Sequence, residues 1–301
     1  GAAATLLGKI YLRNHDYANA KTYIDMVLNS GQYELESDFK YVWSENNKYG
    51  KEMIFALLHE TGNNAAEIAC HFGPSDHPEV PGRWQYYGVS LPFWRSYDKE
   101  DPRREFFYYD YTGDAKRDDQ SDYGFHYMVP EEGVTVVPND TTKYMQNVAT
   151  MKYTYDMISD AYYDGRTICI FRLSDVILCK AEIENNLNGP AAALPYLNQI
   201  RARAGAPEYG KHNRFPAPST KEAMNDAILK ERGYELVFEF QRRADLIRFG
   251  KYEEVVNAHL KKLGIAQPTN VTSDLWHFPY PLNDAQLNPN LAAENPSRLP
   301  K

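Results

Sequence analysis

Apolar residues recur at helical spacing in several parts of the chain, most continuously between residues 219 and 250. At 100° per residue this segment carries two apolar stripes and leaves only a narrow strip for water. The stripes are Met224, Ile228, Phe238, Leu246 and Phe249, and Leu229, Leu236, Phe240 and Ile247. Ser219 and Glu222 have the spacing of a capping box, and Gly250 follows as an end signal. A helix that is apolar on nearly every side is buried, so the pattern predicts a central buried helix over 219–250.

A helical hairpin is predicted at the start of the chain. Residues 2–35 give two helices around a turn at 14–16, with Asp16 as the cap of the second helix. The spacing of small and apolar residues matches most of the tetratricopeptide pattern, in which small side chains let two helices approach closely. The matching residues are Leu7, Gly8, Tyr11, Ala20 and Ile24.

Further helices are predicted in the second half of the chain. Ser174 and Asp175 are candidate caps for the first of them. Gly189 followed by Pro190 is a stop-and-start signal before a return helix. Residues 251–264 predict one more amphipathic helix.

The region 61–150 lacks helical periodicity. Its first part, 61–92, is rich in Gly, Pro, Asn and Asp and predicts a long loop, a type that in compact domains is usually functional or disordered. The run at 106–111 predicts a short strand, and 53–58 fits either a strand or a helix.

These patterns together predict the fold class. We expect a mainly α protein, with tetratricopeptide-like helical hairpins around a central buried helix and a loop-rich insertion that carries short β-strands. Its parts would be a hairpin region at 1–60, a ligand-binding region at 61–150, and a helical core with a C-terminal strap at 151–301, all within one compact unit.

Composition and charge narrow the classes of partner. The chain is 43% hydrophobic and 25% charged, which is typical of a globular protein. A formal net charge of −8 makes nucleic acid and anionic membrane surfaces poor partners. No apolar run approaches the length of a membrane span.

The cysteines and the start of the chain add two expectations. Cys70, Cys169 and Cys179 are widely spaced, so they give no zinc pattern and allow at most one internal disulfide. The chain begins with a helical pattern and no Met, from which we expect a shortened or processed protein. Any export signal or lipid anchor would lie in the part that is missing.

Charged residues interrupt the apolar faces of the segment 219–250. Buried charges persist only when they are paired and hydrogen-bonded. One interpretation is a catalytic carboxylate cluster, and the other is a buried ion network that fixes how helices dock. We favour the network, because no nucleophile, metal pattern or phosphate loop accompanies the charges. The residues are Glu231, Glu235, Glu239, Arg242 and Asp245.

Aromatic residues stand beside polar ones in the predicted loop 61–92. Flat rings stack on the apolar faces of sugars while polar groups bind the hydroxyls, so this loop is a candidate glycan site. The alternative, that the rings fold inward and anchor the loop, stays open for each residue. The candidates are Trp84, Tyr86, Tyr87, Arg83, His71 and Asp76.

Acidic residues offer two further, weaker hypotheses. Four aspartates at positions 114–122 could hold Ca²⁺, but their spacing fits no EF-hand, so we expect no cofactor and no metal. An α-helical glycoside hydrolase would need two acids across a cleft. Glu131, Asp156 and Asp160 are the nominees, and nothing in the sequence selects among them.

Several motifs, in order along the chain, resemble the SusD/RagB family. The segment ERGYELVFEFQRRADLIRFG at 231–250 is similar to the family hallmark, although Phe240 stands where the family usually has glycine. Asp101-Pro102-Arg103, the Asn-x-x-Arg-x-Arg-x-Gly pattern that ends at Gly205, and the proline-rich tail also resemble family elements.

The resemblance implies a function that the residues alone do not show. It implies a non-catalytic, cell-surface lipoprotein of the outer membrane that binds an oligosaccharide or polysaccharide and delivers it to a SusC-like, TonB-dependent transporter. Contact with the membrane would be made only through a lipid anchor absent from this chain. The alternatives are a tetratricopeptide-type scaffold that grasps a peptide and, less favoured, the helical hydrolase.

Overall fold

The computed structural model describes most of the chain, and ten helices lie in the described part. That part is residues 1–62, 67–74, 76–80, 84–114, 124–133, 141–156, 164–262, 271–272, 280–288 and 290. The helices are α1 (Ala2–Arg13), α2 (Tyr17–Leu28), α3 (Ile68–Phe72), α4 (Leu91–Arg95), α5 (Leu173–Asn188), α6 (Pro190–Ala204), α7 (Lys221–Glu235), α8 (Arg242–Arg248), α9 (Tyr252–Lys262) and α10 (Leu282–Leu287). The expectation of a mainly helical fold is confirmed.

Short strands form three small sheets within the described residues. The strands are β1 (Met53–Leu57), β2 (Val89–Ser90), β3 (Phe107–Tyr108), β4 (Asp110–Thr112), β5 (His126–Met128), β6 (Thr142–Tyr144), β7 (Asn147–Thr150) and β8 (Ile168–Arg172). One sheet pairs β1 with β8, a second has the order β2-β7-β3, and a third has the order β4-β5-β6. All pairs are antiparallel except β5 with β6. The run at 53–58 is therefore a strand.

The predicted hairpin at 2–35 is confirmed, and it packs on α5. The Asp16 side chain accepts a hydrogen bond from the Asn19 amide (3.2 Å), as expected of the cap of α2. A core cluster of fully or almost fully buried side chains joins the three helices. Removal from water of each large aliphatic side chain in it contributes roughly 1.5–3 kcal/mol to stability. The cluster is Leu12, Ala20, Ile24, Val27, Val176, Cys179 and Ile183.

Helix α5 is the most deeply buried helix of the described part. Its residues from Leu173 to Asn185 are all buried. It packs against α2, α6 and α7, so it holds the central place that the sequence assigned to 219–250. The helix begins after Arg172, at the end of β8, and Ser174 and Asp175 lie inside it instead of capping it.

The segment 219–250 is two helices and not one. α7 begins at Lys221, and its cap is Thr220, whose hydroxyl accepts from the Ala223 amide (3.1 Å), in place of the predicted Ser219. The helix ends at Glu235, and α8 starts only at Arg242.

Two phenylalanines break the helical path between α7 and α8. Phe238 and Phe240 both have φ of +61°, in the left-handed region that bulky side chains rarely adopt. Apolar spacing continues through this break, which is why the periodicity predicted one helix. Phe240 is one of the two residues in this conformation, and it stands at the position where the resembled family usually has glycine.

The chain divides into two compact units, Gly1–Glu239 and Phe240–Lys301. The first contains α1–α7 and every described strand. In the second, α8 contacts α9, and Arg248 pairs with Asp245 (2.9 Å). The predicted division at residues 60 and 150 stays a prediction.

The three cysteines are buried and free of disulfides. Burial raises the pKa of the Cys169 thiol, so that side chain stays protonated at neutral pH. No helix among the described residues has the length and apolar character that crossing a membrane requires.

Candidate functional site

A short helix organises the predicted loop 61–92. Four of the five residues of α3, Ile68, Ala69, Cys70 and Phe72, are buried, and they fix the helix to the protein. The remaining one, His71, faces the segment that follows at 84–87. Composition alone concealed this helix, because glycines and prolines surround its five residues.

Backbone hydrogen bonds hold the segment 84–87 against α3. The Trp84 amide donates to the Cys70 carbonyl (2.6 Å), and the Tyr87 amide donates to the His71 carbonyl (3.1 Å). The Gln85 side chain donates to Asn147 (3.3 Å), at the start of β7. These contacts place three aromatic side chains around one histidine.

The four rings form a continuous aromatic cluster, defined here as His71, Trp84, Tyr86 and Tyr87. The His71 ring centroid lies 5.2 Å from that of Trp84, 5.5 Å from that of Tyr86 and 6.3 Å from that of Tyr87. Trp84 and Tyr86 are 5.5 Å apart with an interplanar angle of 33°. Distances of this size are typical of interacting aromatic pairs, so the rings support one another.

The aromatic cluster faces solvent on one side and the core on the other. Trp84 is 40% exposed, Tyr86 65% and Tyr87 52%. Tyr87 also packs on the buried Phe72 (5.2 Å), which fixes the base of the cluster. Chemically, the cluster offers flat apolar faces with hydroxyl, indole and imidazole groups at their edges, which suits a ligand with both apolar and hydroxylated surfaces.

Two of the six predicted site residues are not part of this arrangement. Asp76 accepts a hydrogen bond from the Tyr127 hydroxyl (2.5 Å), and its backbone carbonyl accepts from the Asp114 amide (2.8 Å). Among the described residues its hydrogen bonds do not reach the aromatic cluster, so Asp76 belongs to the neighbouring sheet β4-β5-β6. Arg83 lies outside the described residues.

The predicted acidic residues of α7 and the segment after it lie in a buried ion network. Among the described residues it contains five carboxylates and five basic side chains. Arg103 and Asp101 are two residues apart, whereas the other paired acids and bases lie at least 30 residues apart in the sequence. The acids are Glu52, Asp101, Glu231, Glu235 and Glu239, and the bases are Arg103, Lys152, Arg172, Arg201 and Arg203.

Arg172 is the hub of this ion network. It is 2% exposed, and its guanidinium donates to Glu52 (2.6 Å), Glu235 (2.8 Å) and Glu239 (2.6 Å). Because β8 ends at Arg172, this residue ties the sheet β1-β8 to the end of α7. The arrangement docks secondary-structure elements on one another, which is a structural role.

The charge state of the ion network follows from its pairing. Burial alone would favour the neutral form of Glu235, but the guanidinium groups of Arg203 and Arg172 outweigh it and hold the pKa of Glu235 well below its usual range. Glu235 is therefore a fixed anion at neutral pH. A general acid needs a raised pKa, so Glu235 is unsuited to that role.

The other two predicted members of the network have different surroundings. Asp245 pairs with Arg248 inside the second unit, and Arg242 begins α8. The sequence motif that contains the acids pointed to buried ion pairing, whereas most of the basic partners carried no local signal. The exceptions were Arg201 and Arg203, which lie in the Asn-x-x-Arg-x-Arg-x-Gly pattern that ends at Gly205. Arg201 reaches Glu231 of α7, and Arg203 reaches Glu235.

The remaining acidic candidates do not assemble into a site within the described residues. Asp156 accepts hydrogen bonds from the Ser44 hydroxyl (2.6 Å) and from Asn46 (3.3 Å), and these bonds lower its pKa. Asp160 and the aspartates at 118, 119 and 122 lie outside the described part. No group of three or more potential metal ligands is found in the part of the chain that the structure describes.

The described residues thus define two features, an exposed aromatic cluster and a buried network whose carboxylates are held in ion pairs. Comparison with known families shows that the chain belongs to the SusD family, whose sequence profile matches residues 51–297. One relative found in this comparison is the starch-binding protein SusD of Bacteroides thetaiotaomicron. The resemblance found in the sequence motifs is confirmed.

Individual relatives agree with this assignment. SusD-like protein P25 of Formosa agariphila is 39% identical over 122 residues, which is 40% of this chain and 22% of that protein. SusD-like protein P2 of the same organism is 25% identical over 98% of this chain and 58% of its own length.

Solved structures share the fold. Surface glycan-binding protein A from Bacteroides thetaiotaomicron, in complex with laminarihexaose, superposes with a TM-score of 0.67 at 22% identity. The alignment covers 94% of this chain and 61% of that one. The chain thus spans less than two thirds of the length of these relatives.

Proposed function

We propose that this chain is part of a surface protein that binds an oligosaccharide or polysaccharide through the aromatic cluster His71, Trp84, Tyr86 and Tyr87. The observation that carries the proposal is the exposure of three aromatic rings that are fixed in place by α3. Family membership supplies the class of ligand, and the relative that was solved with laminarihexaose makes a β-glucan the first probe.

The physical chemistry of the aromatic cluster suits weak, extended binding. Each ring contributes on the order of 1 kcal/mol beyond its buried area, judging by aromatic pairs in proteins. Association costs several kcal/mol in lost translational and rotational freedom, so a few rings give modest affinity for one short glycan. Multiple contacts along a polymer would raise the apparent affinity.

The finer functional expectations rest on the family. We infer delivery of the glycan to a SusC-like transporter, a position at the surface of the outer membrane, and attachment of the protein through a lipid anchor. Co-purification of a β-barrel transporter with the tagged full-length protein from its native membrane tests the partnership. Its absence under conditions that retain other membrane complexes would count against it.

Affinity electrophoresis tests the binding function itself. The wild-type chain is run in native gels containing laminarin, starch or other neutral polysaccharides, and its mobility is compared with that of a non-binding standard. We expect retardation by at least one polysaccharide and no release of sugar from any of them. Unchanged mobility in every gel, or turnover of a polysaccharide, contradicts the proposal.

One observation favours a peptide-binding scaffold as the second candidate. A groove of about 480 Å³ lies between α2, α5 and α6, and Leu28, Ile177, Tyr196 and Gln199 are among its lining residues. A scaffold would use such a helix-lined groove, but it would leave the rings at 84–87 folded away. Because those rings are exposed, glycan binding remains the favoured function.

A further inference from the structure

A second cavity opens on the first unit, lined by residues that the proposed glycan site does not use. Its volume is about 270 Å³, and its walls come from the segment 96–101, α6, the turn after α6, and α7. The lining residues that matter here are Lys99, Arg201, Arg214, Phe215, Lys230 and Tyr234.

Hydrogen bonds hold the walls of this cavity in place. The turn at 209–215 is closed by the Gly210 amide, which donates to the Phe215 carbonyl (2.7 Å). Asn198 of α6 fixes the same turn by a pair of hydrogen bonds with the backbone of Tyr209 (2.8 and 2.9 Å). Arg214 then bridges from the turn to Asp98 (2.8 Å), so that the cavity exists before any ligand arrives.

Both acidic side chains that line the cavity already have cationic partners. Asp98 accepts from Arg214, and Asp101 accepts from Arg103 through both of its oxygens (2.8 and 3.0 Å). Because these carboxylates are already neutralised by arginine, they attract a further cation only weakly. Arg214 is also paired with Glu100 (2.6 Å).

Several basic groups at the cavity keep unused capacity. Lys99 and Lys230 are exposed and form no ion pair with any residue that the structure describes. Arg201, only 3% exposed, donates Nε to the Pro207 carbonyl (2.6 Å) and Nη1 to Glu231 (2.8 Å). Its Nη2 has no hydrogen-bond partner among the described residues, although the side chain lines the cavity.

Aromatic faces complete the cavity. The Phe215 ring lies under the guanidinium groups of Arg201 (4.8 Å) and Arg214 (5.8 Å). The Tyr234 ring lies 5.6 Å from the Lys230 ammonium and is stacked on Tyr97 at 4.1 Å. Aromatic rings beside basic groups, of which Lys230 forms no ion pair with a described residue, suit a ligand that has both a flat apolar face and a negative charge.

We propose that this cavity binds an anionic sugar residue, one that carries a carboxylate or a sulfate ester, at a site separate from the aromatic cluster. Lys99 and Lys230 attract the anionic group, the free Nη2 of Arg201 donates to it, and the aromatic walls contact the sugar ring. The hydrogen-bonded turn holds Phe215 in position, and the bonds of Arg201 to Pro207 and Glu231 hold its guanidinium, so these two groups need little ordering on binding.

Calorimetric titration with matched charged and neutral probes tests this site. The probes are trigalacturonate against its fully methyl-esterified form, and galactose 6-sulfate against galactose. We expect a charged probe to bind at least about tenfold more tightly than its neutral counterpart, with an affinity that falls as salt rises. The arm that binds more tightly identifies the source of the charge.

Variants assign the binding to the cavity. The double variant Lys99→Met/Lys230→Met should weaken binding of the charged probe by about tenfold, because the anion loses two cations while the ion pairs of the walls stay intact. Lys261→Met, which removes an exposed charge on α9, is the control and should leave the affinity unchanged. Trp84→Ala should also leave it unchanged, which separates this site from the proposed glycan site.

Several results would overturn the proposal. They are absence of binding by both charged probes, equal affinity for charged and neutral forms, a double variant that binds within twofold of wild type, or an equal loss in Lys261→Met. If no polysaccharide retarded the wild-type protein in the native gels but the charged probe still bound, the proposed glycan function would be wrong and the anionic-sugar site would be supported.

Discussion

Phe240 shows how one residue can carry backbone strain that a sequence pattern conceals. Its φ of +61° lies in the left-handed region, and its side chain is 69% exposed, so little burial offsets the strain. Phe238 has the same φ, but its ring packs on Phe72 (5.0 Å) and its carbonyl accepts from the Tyr153 hydroxyl (2.8 Å). The two positions share a conformation and differ in packing.

Replacement of these residues by glycine should therefore have opposite effects. Phe240→Gly should raise the free energy of unfolding by roughly 0.5–1 kcal/mol, since relief of left-handed strain exceeds the entropy that glycine adds to the unfolded chain. Phe238→Gly is the matched control and should lower it by about 2 kcal/mol or more through loss of ring packing. Urea unfolding measures both, and destabilisation of similar size in the two variants would refute this account.

Arg172 makes the ion network sensitive to a single substitution. Arg172→Met leaves Glu52, Glu235 and Glu239 without their shared partner, and removal of one side of a buried ion pair costs roughly 3–5 kcal/mol. Arg13→Met, at an exposed arginine of α1, should change stability by less than about 0.5 kcal/mol. Equal urea midpoints for wild type and Arg172→Met would show that the network does not hold the fold together.

At the scale of elements, the hairpin of α1 and α2 illustrates what sequence spacing can establish. Gly8 permits the close approach that the tetratricopeptide pattern predicts, because a Cβ at this position would lie 2.8 Å from Cδ1 of Ile24. Ile24 is fully buried, so it has little room to move. The sequence pattern predicted this hairpin correctly because the two helices that it describes, α1 and α2, are adjacent in sequence and contact each other directly.

Gly8→Val tests this close approach. Overpacking should force α1 away from α2 and lower the free energy of unfolding by about 1–3 kcal/mol. Ala3→Val places the same side chain on the exposed side of α1 and serves as the control, with little expected effect. If thermal denaturation gave the two variants the same midpoint, tight packing at Gly8 would be disproved.

Other elements were predicted less accurately, for identifiable reasons. Periodicity joined α7 and α8 into one helix because apolar spacing does not register a positive φ at Phe238. The cap of α7 shifted by one residue, from Ser219 to Thr220, since both are good capping residues. Helix α3 was missed because its five residues stand within a stretch of loop-forming composition.

At the scale of the whole molecule, the two sites differ in how far the sequence could define them. Trp84, Tyr86, Tyr87 and His71 are close in sequence, so their assembly was within reach of sequence reasoning. The ion network was not, because Arg103 and Arg172 approach Glu235 from 132 and 63 residues away. Asp76 was assigned by proximity in sequence, but its side chain accepts a hydrogen bond from the Tyr127 hydroxyl instead.

Paired buried carboxylates determine how global stability responds to pH. For both Glu235 and Asp175, burial favours the neutral form. At Glu235 the attraction of Arg203 and Arg172 outweighs this effect of burial, so its pKa lies below the usual 4.5. At Asp175 the attraction of Lys9 and Arg232 does the same, so its pKa lies below the usual 3.8. A group whose pKa is lower in the folded state stabilises the protein above its unfolded-state pKa, and this contribution is lost as pH falls.

Urea unfolding across acidic pH tests this linkage. The urea midpoint should stay nearly constant from about pH 7 to pH 5 and then fall steadily below about pH 4.5. In that range the carboxyl groups of the unfolded chain become protonated, whereas those of the folded protein stay ionised because their pKa values are lower. Arg172→Met should show a shallower fall, because its carboxyls have pKa values nearer to normal. A wild-type midpoint at pH 3.5 equal to that at pH 7 would contradict this view of the network.

The most direct test of the central claim is the affinity of a double variant of the aromatic cluster, Trp84→Ala/Tyr86→Ala, for the polysaccharide that most retards the wild-type protein. Tyr49→Ala, which removes a ring that is 77% exposed and lies outside the cluster, is the matched control. We expect the double variant to keep its fold and to bind at least about tenfold more weakly, corresponding to about 1.4 kcal/mol, while Tyr49→Ala binds like wild type. A folded double variant with wild-type affinity would contradict the account.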